Sequence, residues 1–334
     1  MDQKRISFLL SSIIYLTSIS LSPSVRAQSS YDEFINYFKD YDFEERVVPV
    51  IPPKEQQINV IIDADAKNEI DDQWALTLAL LSPERFNILG IVGATFAWGG
   101  PGSIQKSVDE IDTLLRLTGL SDKIPVYAGA HPLRYRYEPT HSEGVDFIIE
   151  QAMKASKDNP LWIIGLGAAT DIASAFLKEP AIAERIVVFW HLRTKWPDKC
   201  WNFNVFGDPH AARLLFDSPM SFVLFDTGTY LYCPMEESEK MVKPYGAIGE
   251  YIHNIRVGSD YYSSPTKGFF DLGDISALLD PDIAYYEEVS CPEVDFDLSY
   301  KFTGKKGKIL RCYHVDRDKT FQLLYDKLQA YYGD

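Results

Sequence analysis

Residues 58–81 read INVIIDADAKNEIDDQWALTLALL, and this segment changes character twice. Its first five residues are apolar apart from Asn59, which is typical of a buried strand. From Asp71 to Leu81, Trp74 and the leucines form an apolar run of helical length. The segment therefore predicts a strand that ends in Asp63-Ala64-Asp65 and a helix that begins at about Asp71.

The same alternation of strand and helix patterns continues along the chain. Short apolar runs predict strands near residues 86–92, 125–128, 161–164, 186–190 and 221–225. Helical patterns lie between them, near residues 103–117, 147–155, 170–177 and 209–216. Residues 285–332 are typical of a strand or hairpin followed by a closing helix from about Thr320. This order predicts a single α/β domain with a central, mostly parallel sheet flanked by helices.

The first 27 residues have the pattern of a secretory signal peptide. Lys4 and Arg5 precede an apolar run from Phe8 to Leu21, and Val25-Arg26-Ala27 is similar to a small-residue cleavage site. The run is shorter than a membrane-spanning helix and is interrupted by Ser and Thr. We therefore predict an exported protein, periplasmic or secreted, that is cleaved near Ala27 and has no membrane segment afterwards.

The rest of the chain divides into two parts. Residues 28–57 form an N-terminal extension, in which Pro52 and Pro53 oppose helix formation. Residues 58–334 form the α/β domain, because no internal repeat or change of composition marks a second one. The sequence does not indicate what the extension does.

The chain is acidic, with a formal net charge of −15. Removal of residues 1–27 takes away Lys4, Arg5 and Arg26 against Asp2, which is three positive charges and one negative, so the mature chain carries −17. A surface this acidic repels nucleic acids and favours small molecules or cations as partners. The sequence leaves open whether the protein forms a homo-oligomer.

Four cysteines, at positions 200, 233, 291 and 312, include no C-x2-C pair, which argues against the usual zinc sites. After export they could form disulfides, with Cys291 and Cys312 pairing across a hairpin, or remain buried thiols. Both alternatives stay open from the sequence.

The most distinctive segment is the acidic cluster at residues 63–72, with four aspartates and one glutamate. It follows a central strand, at the sheet edge where open α/β proteins bind ligands. Neighbouring carboxylates repel one another by about 1–4 kcal/mol per pair, so the cluster is stable only if the groups are solvated, protonated or neutralised by a cation. Oxygen ligands without His or Cys favour calcium or magnesium, and calcium tolerates an irregular carboxylate cage better.

Two other interpretations of the acidic cluster are weaker. A solvated loop with Asp71 and Asp72 at a helix start explains those two residues but not the carboxylates on the strand side. The Asp-x-Asp motif of haloacid-dehalogenase phosphatases needs Thr or Val two residues after the second Asp, where this chain has Lys67.

The cluster resembles the nucleoside hydrolase family of the inosine–uridine preferring type, in particular its exported bacterial branch. Members carry a strand, Asp-x-Asp, a short turn, Asp-Asp and an apolar helix, although the turn here is two residues longer. Further blocks match in the same order, at residues 90–94, 125–133, 165–173, 202–212 and 273–281. The resemblance extends from about residue 58 to residue 330. It implies an N-glycosyl hydrolase that cleaves the base from ribonucleosides or related N-ribosides.

The resemblance also implies a calcium site. Asp65, Asp72 and Asp274 would supply carboxylates to one Ca²⁺ ion, and Thr170 would add its backbone carbonyl. Asp65 would in addition accept a proton from the metal-bound water that attacks the anomeric carbon.

The same resemblance implies the residues that bind the sugar. Asp71 would hold a ribose hydroxyl, and Asn204, together with Asn202, would contact the ribose. His191 ends a predicted strand, so it could face a ligand or belong to the core. Trp98, Trp196 and Trp201 lie in predicted loops and could stack on a ligand or pack.

Three departures from the family pattern concern the leaving group and the outer sugar site. Gly273 stands where members often have a His that protonates the departing base. Residues 97–99 lack the Asn of an early turn, and Asn202 replaces a Glu. Two alternatives therefore stay open: a non-catalytic sugar- or nucleoside-binding protein on the same fold, or a hydrolase of another glycoside. The base preference is also open.

Overall fold

The computed structural model describes residues 28–260 and 262–333. The predicted signal peptide, residues 1–27, lies outside these described residues.

The predicted strands and helices are present, with ends that differ by a few residues, and further elements lie in the N-terminal extension and between residues 203 and 301. All are numbered together in chain order. The strands are β1 (Ile58–Ala64), β2 (Phe86–Gly93), β3 (Val126–Ala128), β4 (Leu161–Gly165), β5 (Ile186–Leu192), β6 (Ser221–Asp226), β7 (Tyr232–Pro234), β8 (Thr266–Gly268), β9 (Ala284–Ser290), β10 (Glu293–Val294), β11 (Tyr300–Lys301) and β12 (Lys308–Val315). The helices are α1 (Ser30–Tyr37), α2 (Asp71–Leu80), α3 (Ser103–Thr118), α4 (Glu143–Lys154), α5 (Thr170–Lys178), α6 (Phe203–Gly207), α7 (Pro209–Asp217), α8 (Met235–Met241), α9 (Gly246–Val257), α10 (Leu272–Leu279) and α11 (Arg317–Tyr332).

Eight strands form one sheet in the order β3-β2-β1-β4-β5-β6-β12-β9. All neighbours in it are parallel except the edge pair β12 and β9, which is antiparallel. The predicted fold class is therefore confirmed: a single α/β domain with a central, mostly parallel sheet flanked by helices. β10 with β11 and β7 with β8 form two small ribbons outside this sheet.

Strand β1 has apolar residues on both faces because helices cover both faces of the sheet. Side chains alternate across a strand, and Val60 and Ile62 accordingly belong to one core cluster while Ile61 belongs to the other. The first cluster includes Trp74 of α2, and the second includes Ile172 of α5. The near-continuous apolar run in the sequence is thus that of a central strand buried on both sides.

The connections that leave the carboxyl ends of β1, β4 and β5 all emerge at one edge of the sheet, because these strands are parallel neighbours. Helix α2 begins at this edge and packs against α10. The aspartates that follow β1, those that open α2 and those beside the start of α10 are therefore brought together from distant parts of the sequence.

The N-terminal extension packs against the α/β domain. Phe34 and Phe38 of the α1 segment are buried, and the ring of Phe38 lies 5.2 Å from that of Phe176. Farther along, the buried Arg85 donates hydrogen bonds to the carbonyls of Pro52 and Pro53. The division at residue 57 stays a prediction, because these contacts join the two parts.

All four cysteines are buried free thiols, so the predicted alternative of a Cys291–Cys312 disulfide is not adopted. Burial raises the pKa of Cys200 to about 12 and that of Cys233 to about 11. These side chains behave as small apolar groups in the core. Every helix within residues 28–260 and 262–333 is too short or too polar to cross a membrane.

Candidate functional site

Four aspartates line one small cavity at the carboxyl edge of the sheet: Asp65, Asp71, Asp72 and Asp271. Carboxylate oxygens of the last three lie within 4.8 Å of one another. All four side chains are buried, with exposed fractions of 1 to 5%. The cluster predicted from the sequence is therefore a converging set of acids and not a solvated loop.

Local structure explains why the carboxylates point inward. Asp65 follows the last residue of β1, and Asp71 and Asp72 occupy the first turn of α2. Asp271 directly precedes α10, whose amino terminus faces the same space. The partial positive charge at a helix amino terminus stabilises carboxylates there, so each helix start favours the acids it carries.

The buried carboxylates of the cavity would be stabilised by a bound cation. Burial, with the nearby Asp71, raises the pKa of Asp65 to about 8. Burial likewise raises the pKa of Asp72 and of Asp271 well above the ordinary value, with the other aspartates of the cluster adding to it. Oδ1 of Asp72 is buried and has no hydrogen-bond partner among the described residues. Buried carboxylates that lack partners are suited to a hard divalent cation with oxygen ligands.

Two of the predicted metal ligands lie elsewhere. Asp274 is fully buried in α10, and its Oδ2 lies 2.5 Å from Nδ1 of His191. Thr170 opens α5 and donates a hydrogen bond of 2.8 Å from Oγ1 to Oδ2 of Asp208. Neither residue lines the acidic cavity. Their liganding roles stay predictions that this geometry does not bring together with Asp65 and Asp72.

The two predicted sugar-binding asparagines do line the cavity. The Asn202 side chain caps α6 by accepting a 2.8 Å hydrogen bond from the Asn204 backbone N–H. Asn204 donates from Nδ2 to the carbonyls of Leu166 (2.7 Å) and His191 (3.0 Å). Because both amide hydrogens are used, Oδ1 of Asn204 is the side-chain atom left to accept from a ligand hydroxyl.

Comparison with known proteins gives the family of the chain. The family model described as inosine-uridine preferring nucleoside hydrolase matches residues 60–320. The chain belongs to this family. The sequence therefore carries a nucleoside hydrolase domain over most of its length, as the order of its motif blocks predicted.

Individual relatives share about a quarter of their aligned residues with this chain. The pyrimidine-specific ribonucleoside hydrolase RihB of Shigella flexneri serotype 5b is 27% identical over 195 residues, which are 55% of this chain and 59% of that protein. The protein of the same name from Escherichia coli strain SE11 is 25% identical over 227 residues, or 59% and 68% of the two chains. The aligned part thus spans about three fifths of the length of the Shigella relative.

Solved structures of nucleoside hydrolases share the fold of the domain. A plant nucleoside hydrolase, PpNRh1, superposes with a TM-score of 0.67 at 19% identity, over 82% of this chain and all of that one. A purine-preferring ribonucleoside hydrolase from Gardnerella vaginalis gives a TM-score of 0.65 at 18% identity, over 82% of this chain and 99% of that one.

Sequence reasoning did not single out Asp271, Leu166 or Arg193 as residues of this cavity. Asp271 was passed over in favour of Asp274, three positions later in the same block. The available signal was its place at the start of a helix, where Asp71 also lies. His191, for which the sequence left a ligand-facing and a core position open, lines the cavity. Arg193 lies beside it, directly after β5, and no motif in the sequence points to it. Burial, reinforced by Arg193, lowers the pKa of His191 well below its usual value.

A second cavity of about 300 Å³ adjoins the acidic one and shares Asp65, Asn68, Phe203 and Asn204 with it. Its other walls are mainly apolar and include the aromatic rings Phe96, Trp98 and Phe206. Of the predicted loop tryptophans, only Trp98 lines it, with 80% of its surface exposed.

The other two loop tryptophans are engaged elsewhere. Trp196 packs against Tyr300, and Trp201 lies under Lys195. A larger cavity of about 370 Å³ lies at the opposite edge of the sheet, between the N-terminal extension and residues such as Ile58 and Ile186. It contains none of the acidic residues of the candidate site.

Gly167 gives a direct test of the position of Asp65. A Cβ at this residue would lie 3.1 Å from Cβ and 3.2 Å from Cγ of Asp65, closer than side chains normally approach. We expect Gly167→Ala to displace the carboxylate and to lower kcat/KM for any hydrolysed riboside by about tenfold or more, because small displacements of catalytic groups are costly.

The matched control for this prediction is Gly102→Ala, since a Cβ at Gly102 meets no atom within 4 Å. Initial rates give kcat/KM, and circular dichroism gives the melting temperature of both variants. Wild-type kcat/KM in Gly167→Ala would mean that the position of the Asp65 side chain does not limit the reaction.

Proposed function

We propose that the protein is a calcium-dependent hydrolase that cleaves the N-glycosidic bond of ribonucleosides or related N-ribosides. The observation that carries this proposal is the convergence of four buried aspartates with Asn204 in one cavity at the carboxyl edge of the sheet. Membership of the nucleoside hydrolase family supports the reaction class.

In this proposal the metal is held by residues that line the cavity. Asp65, Asp72 and Asp271 supply carboxylates, and the backbone carbonyl of Leu166 supplies a fourth oxygen. Asp271 and Leu166 replace Asp274 and Thr170 of the sequence-based set. An all-oxygen, mainly anionic set favours Ca²⁺ over softer ions. A calcium ion bound there would acidify a water molecule and orient the two ribose hydroxyls.

The protein side chains have separate tasks. Asp65 accepts a proton from the attacking water, since a neighbouring cation lowers its pKa and keeps it ionised at neutral pH. As the oxygen of that water bonds to the anomeric carbon, the bond to the base breaks and its electron pair leaves with the base. The surrounding carboxylates stabilise the positive charge that develops on the sugar.

Asp71 and Asn204 bind the sugar in this scheme. Oδ2 of Asp71 already accepts a hydrogen bond from the Phe270 N–H at 3.2 Å, so its other oxygen is available to a ribose hydroxyl. Oδ1 of Asn204 accepts from a second hydroxyl, and Asn202 keeps the Asn204 backbone in position. The diol is thus held between α2 and α6, beside the metal ligands.

One observation favours a non-catalytic sugar- or nucleoside-binding protein as the second candidate. Phe270 precedes Asp271, and Gly273 precedes Asp274. Neither residue can donate a proton to a departing base. A protein that retained the metal and the diol site without turnover would have this pattern.

Turnover separates the two candidates. Purified protein is incubated with inosine, uridine and p-nitrophenyl riboside, with calcium or with excess EDTA. Hydrolysis of any of them that EDTA abolishes and calcium restores is the expected result. If calorimetry shows that ribose binds but none of the three substrates is hydrolysed, the binding-protein candidate is supported. If ribose does not bind and no substrate is hydrolysed, the proposed site is wrong.

Export remains part of the proposal. It is supported by the basic start, the apolar run and the Val25-Arg26-Ala27 sequence of the first 27 residues. Expression of the full chain in a Gram-negative host, followed by mass spectrometry of the periplasmic fraction, tests it. A mature amino terminus near Gln28 is expected, and an uncleaved chain retained in the cytoplasm would contradict it.

A further inference from the structure

Arg193 is a cation inside the acidic cavity. It follows β5, lines the cavity together with His191, and stacks on the ring of Phe270 with its guanidinium carbon 3.6 Å from the ring centroid. Phe270 directly precedes Asp271. The stack therefore fixes a positive charge close to a proposed metal ligand, and cation–π contacts of this kind favour Arg over other cations.

A buried hydrogen-bond chain determines the orientation of the guanidinium. Nε of Arg193 donates to Nε2 of His191 at 3.3 Å. Because Nε2 accepts this hydrogen bond, Nδ1 is the ring atom that donates, and it lies 2.5 Å from Oδ2 of Asp274. The hydrogen-bonded chain from Asp274 through His191 to Arg193 thus gives the buried Asp274 a positioning role, and Asp274 is not a metal ligand in this proposal.

The outer edge of the guanidinium has no partner within the protein. Among the described residues, neither Nη atom of Arg193 makes a hydrogen bond, and its side chain forms no ion pair. The other charged residues that line the cavity are all acidic: Asp65, Glu69, Asp71, Asp72 and Asp271. An arginine held beside carboxylates without bonding to any of them leaves two donors free for a ligand.

We propose that Arg193 binds the leaving group of the N-riboside and stabilises the negative charge that develops on it. This inference rests on the proposed function. It assigns the preferred substrate class as nucleosides whose base carries a carbonyl or other electron-rich acceptor next to the scissile bond. Arg193 here takes the task for which neither Phe270 nor Gly273 has a suitable group.

The direction of charge separation in the reaction favours the leaving group, rather than the sugar, as the part of the substrate that Arg193 contacts. Cleavage puts positive charge on the ribose ring and negative charge on the base. The carboxylates are complementary to the first, and the single guanidinium that lines the cavity is complementary to the second. A fixed hydrogen-bond donor at a developing anion contributes about 10²–10³ in rate in other enzymes.

The test compares leaving groups. Arg193→Gln is assayed with uridine and inosine, whose bases leave poorly, and with p-nitrophenyl riboside, whose phenolate needs little help. We expect kcat for the nucleosides to fall by about 100-fold or more, and kcat for the phenyl riboside to change by less than about tenfold. Arg193→Lys, which keeps the charge and loses the planar edge, should lie between wild type and Arg193→Gln.

Two controls separate this role from a structural one. Arg116→Gln removes an exposed arginine of α3 that lines neither cavity, and it should behave as wild type. Calorimetric binding of ribose in calcium should change by less than about tenfold in Arg193→Gln. A general loss of structure would weaken that binding as well.

Each contrary result has a distinct meaning. Equal losses for nucleosides and for the phenyl riboside would overturn the role of Arg193 while leaving the hydrolase intact. Wild-type protein that turns over only the phenyl riboside would overturn it too, because leaving-group stabilisation would then be missing. Wild-type protein that turns over none of the substrates would overturn the proposed function, and the role of Arg193 with it.

Discussion

Asp271→Asn is expected to abolish calcium binding. The Asp271 carboxylate lies with those of Asp71 and Asp72 inside the cavity, and asparagine replaces it by a neutral group of the same shape. Loss of an outer-shell partner alone weakens metal binding by about 10–100-fold, so loss of a direct anionic ligand should cost at least about 100-fold in affinity. Isothermal titration with calcium measures this directly, without any substrate.

Asp274→Asn is the matched control for this prediction. It makes the same chemical change three residues away, inside α10, which Asp271 directly precedes. The amide oxygen of the new side chain can still accept the hydrogen bond from His191. We expect its calcium affinity to stay within about tenfold of wild type. If Asp274→Asn abolished calcium binding and Asp271→Asn did not, the ligand set predicted from the sequence would be right and the one proposed from the geometry would be wrong.

The metal-free protein is expected to lose stability as the pH rises. Burial and neighbouring carboxylates raise the pKa of folded Asp65 to about 8, against 3.8 for the unfolded chain. The folded state therefore binds more protons than the unfolded state between these values, and the free energy of unfolding falls as the pH increases. At about 1.4 kcal/mol per pKa unit, Asp65 alone gives a loss on the order of 5 kcal/mol.

Asp72 and Asp271 act in the same direction, because their pKa values are raised for the same reasons. Calcium should remove most of this dependence, since it binds only the ionised carboxylates of the folded state. A ligand at 1,000 times its Kd adds about 4 kcal/mol to stability. Urea unfolding at pH 5, 6.5 and 8, in EDTA and in calcium, measures both effects.

A smaller pH dependence should persist in calcium. Burial raises the pKa of Asp171 to about 7. Burial also raises the pKa of Asp63 well above its ordinary value, and the nearby Asp171 and Asp65 add to this. Asp171→Asn should reduce that remainder, because it removes the Asp171 titration and the repulsion that Asp171 exerts on Asp63. A metal-free protein whose stability is flat or rises between pH 5 and 8 would contradict the assignment of a buried, uncompensated acidic cluster.

The fold could be predicted because its signals are local. Apolar runs such as Ile58–Ile62 can be buried only as central strands, and their alternation with helical patterns leaves few other topologies. Helix ends were less predictable. The start of α4 at Glu143, four residues before the predicted start, depends on the Ser142 side chain, which caps the helix by accepting a hydrogen bond from the Val145 N–H.

The candidate site was predictable where one segment supplies several groups. Asp65, Asp71 and Asp72 lie within eight residues of one another and do share the cavity. The choice between Asp271 and Asp274 depends on the rotation of a helix relative to a sheet edge, which tertiary packing sets. The same is true of Leu166 against Thr170, since only the fold reveals which of them faces the cavity.

His191 and Arg193 illustrate a further limit of sequence reasoning. Nothing in their spacing indicates a function, because the residues with which they act, Phe270 and Asp274, are about 80 positions away. These contacts form only because the fold brings the end of β5 next to the start of α10.

The four buried thiols have a practical consequence for following the unfolding of this protein. A reagent that modifies cysteine can reach Cys200, Cys233, Cys291 or Cys312 only when the surrounding core opens. Two of them lie in strands of different sheets, Cys233 in β7 and Cys312 in β12, so the two sites report separate regions. Alkylation for different times, followed by mass spectrometry, would then measure how fast each region opens, with no introduced cysteine.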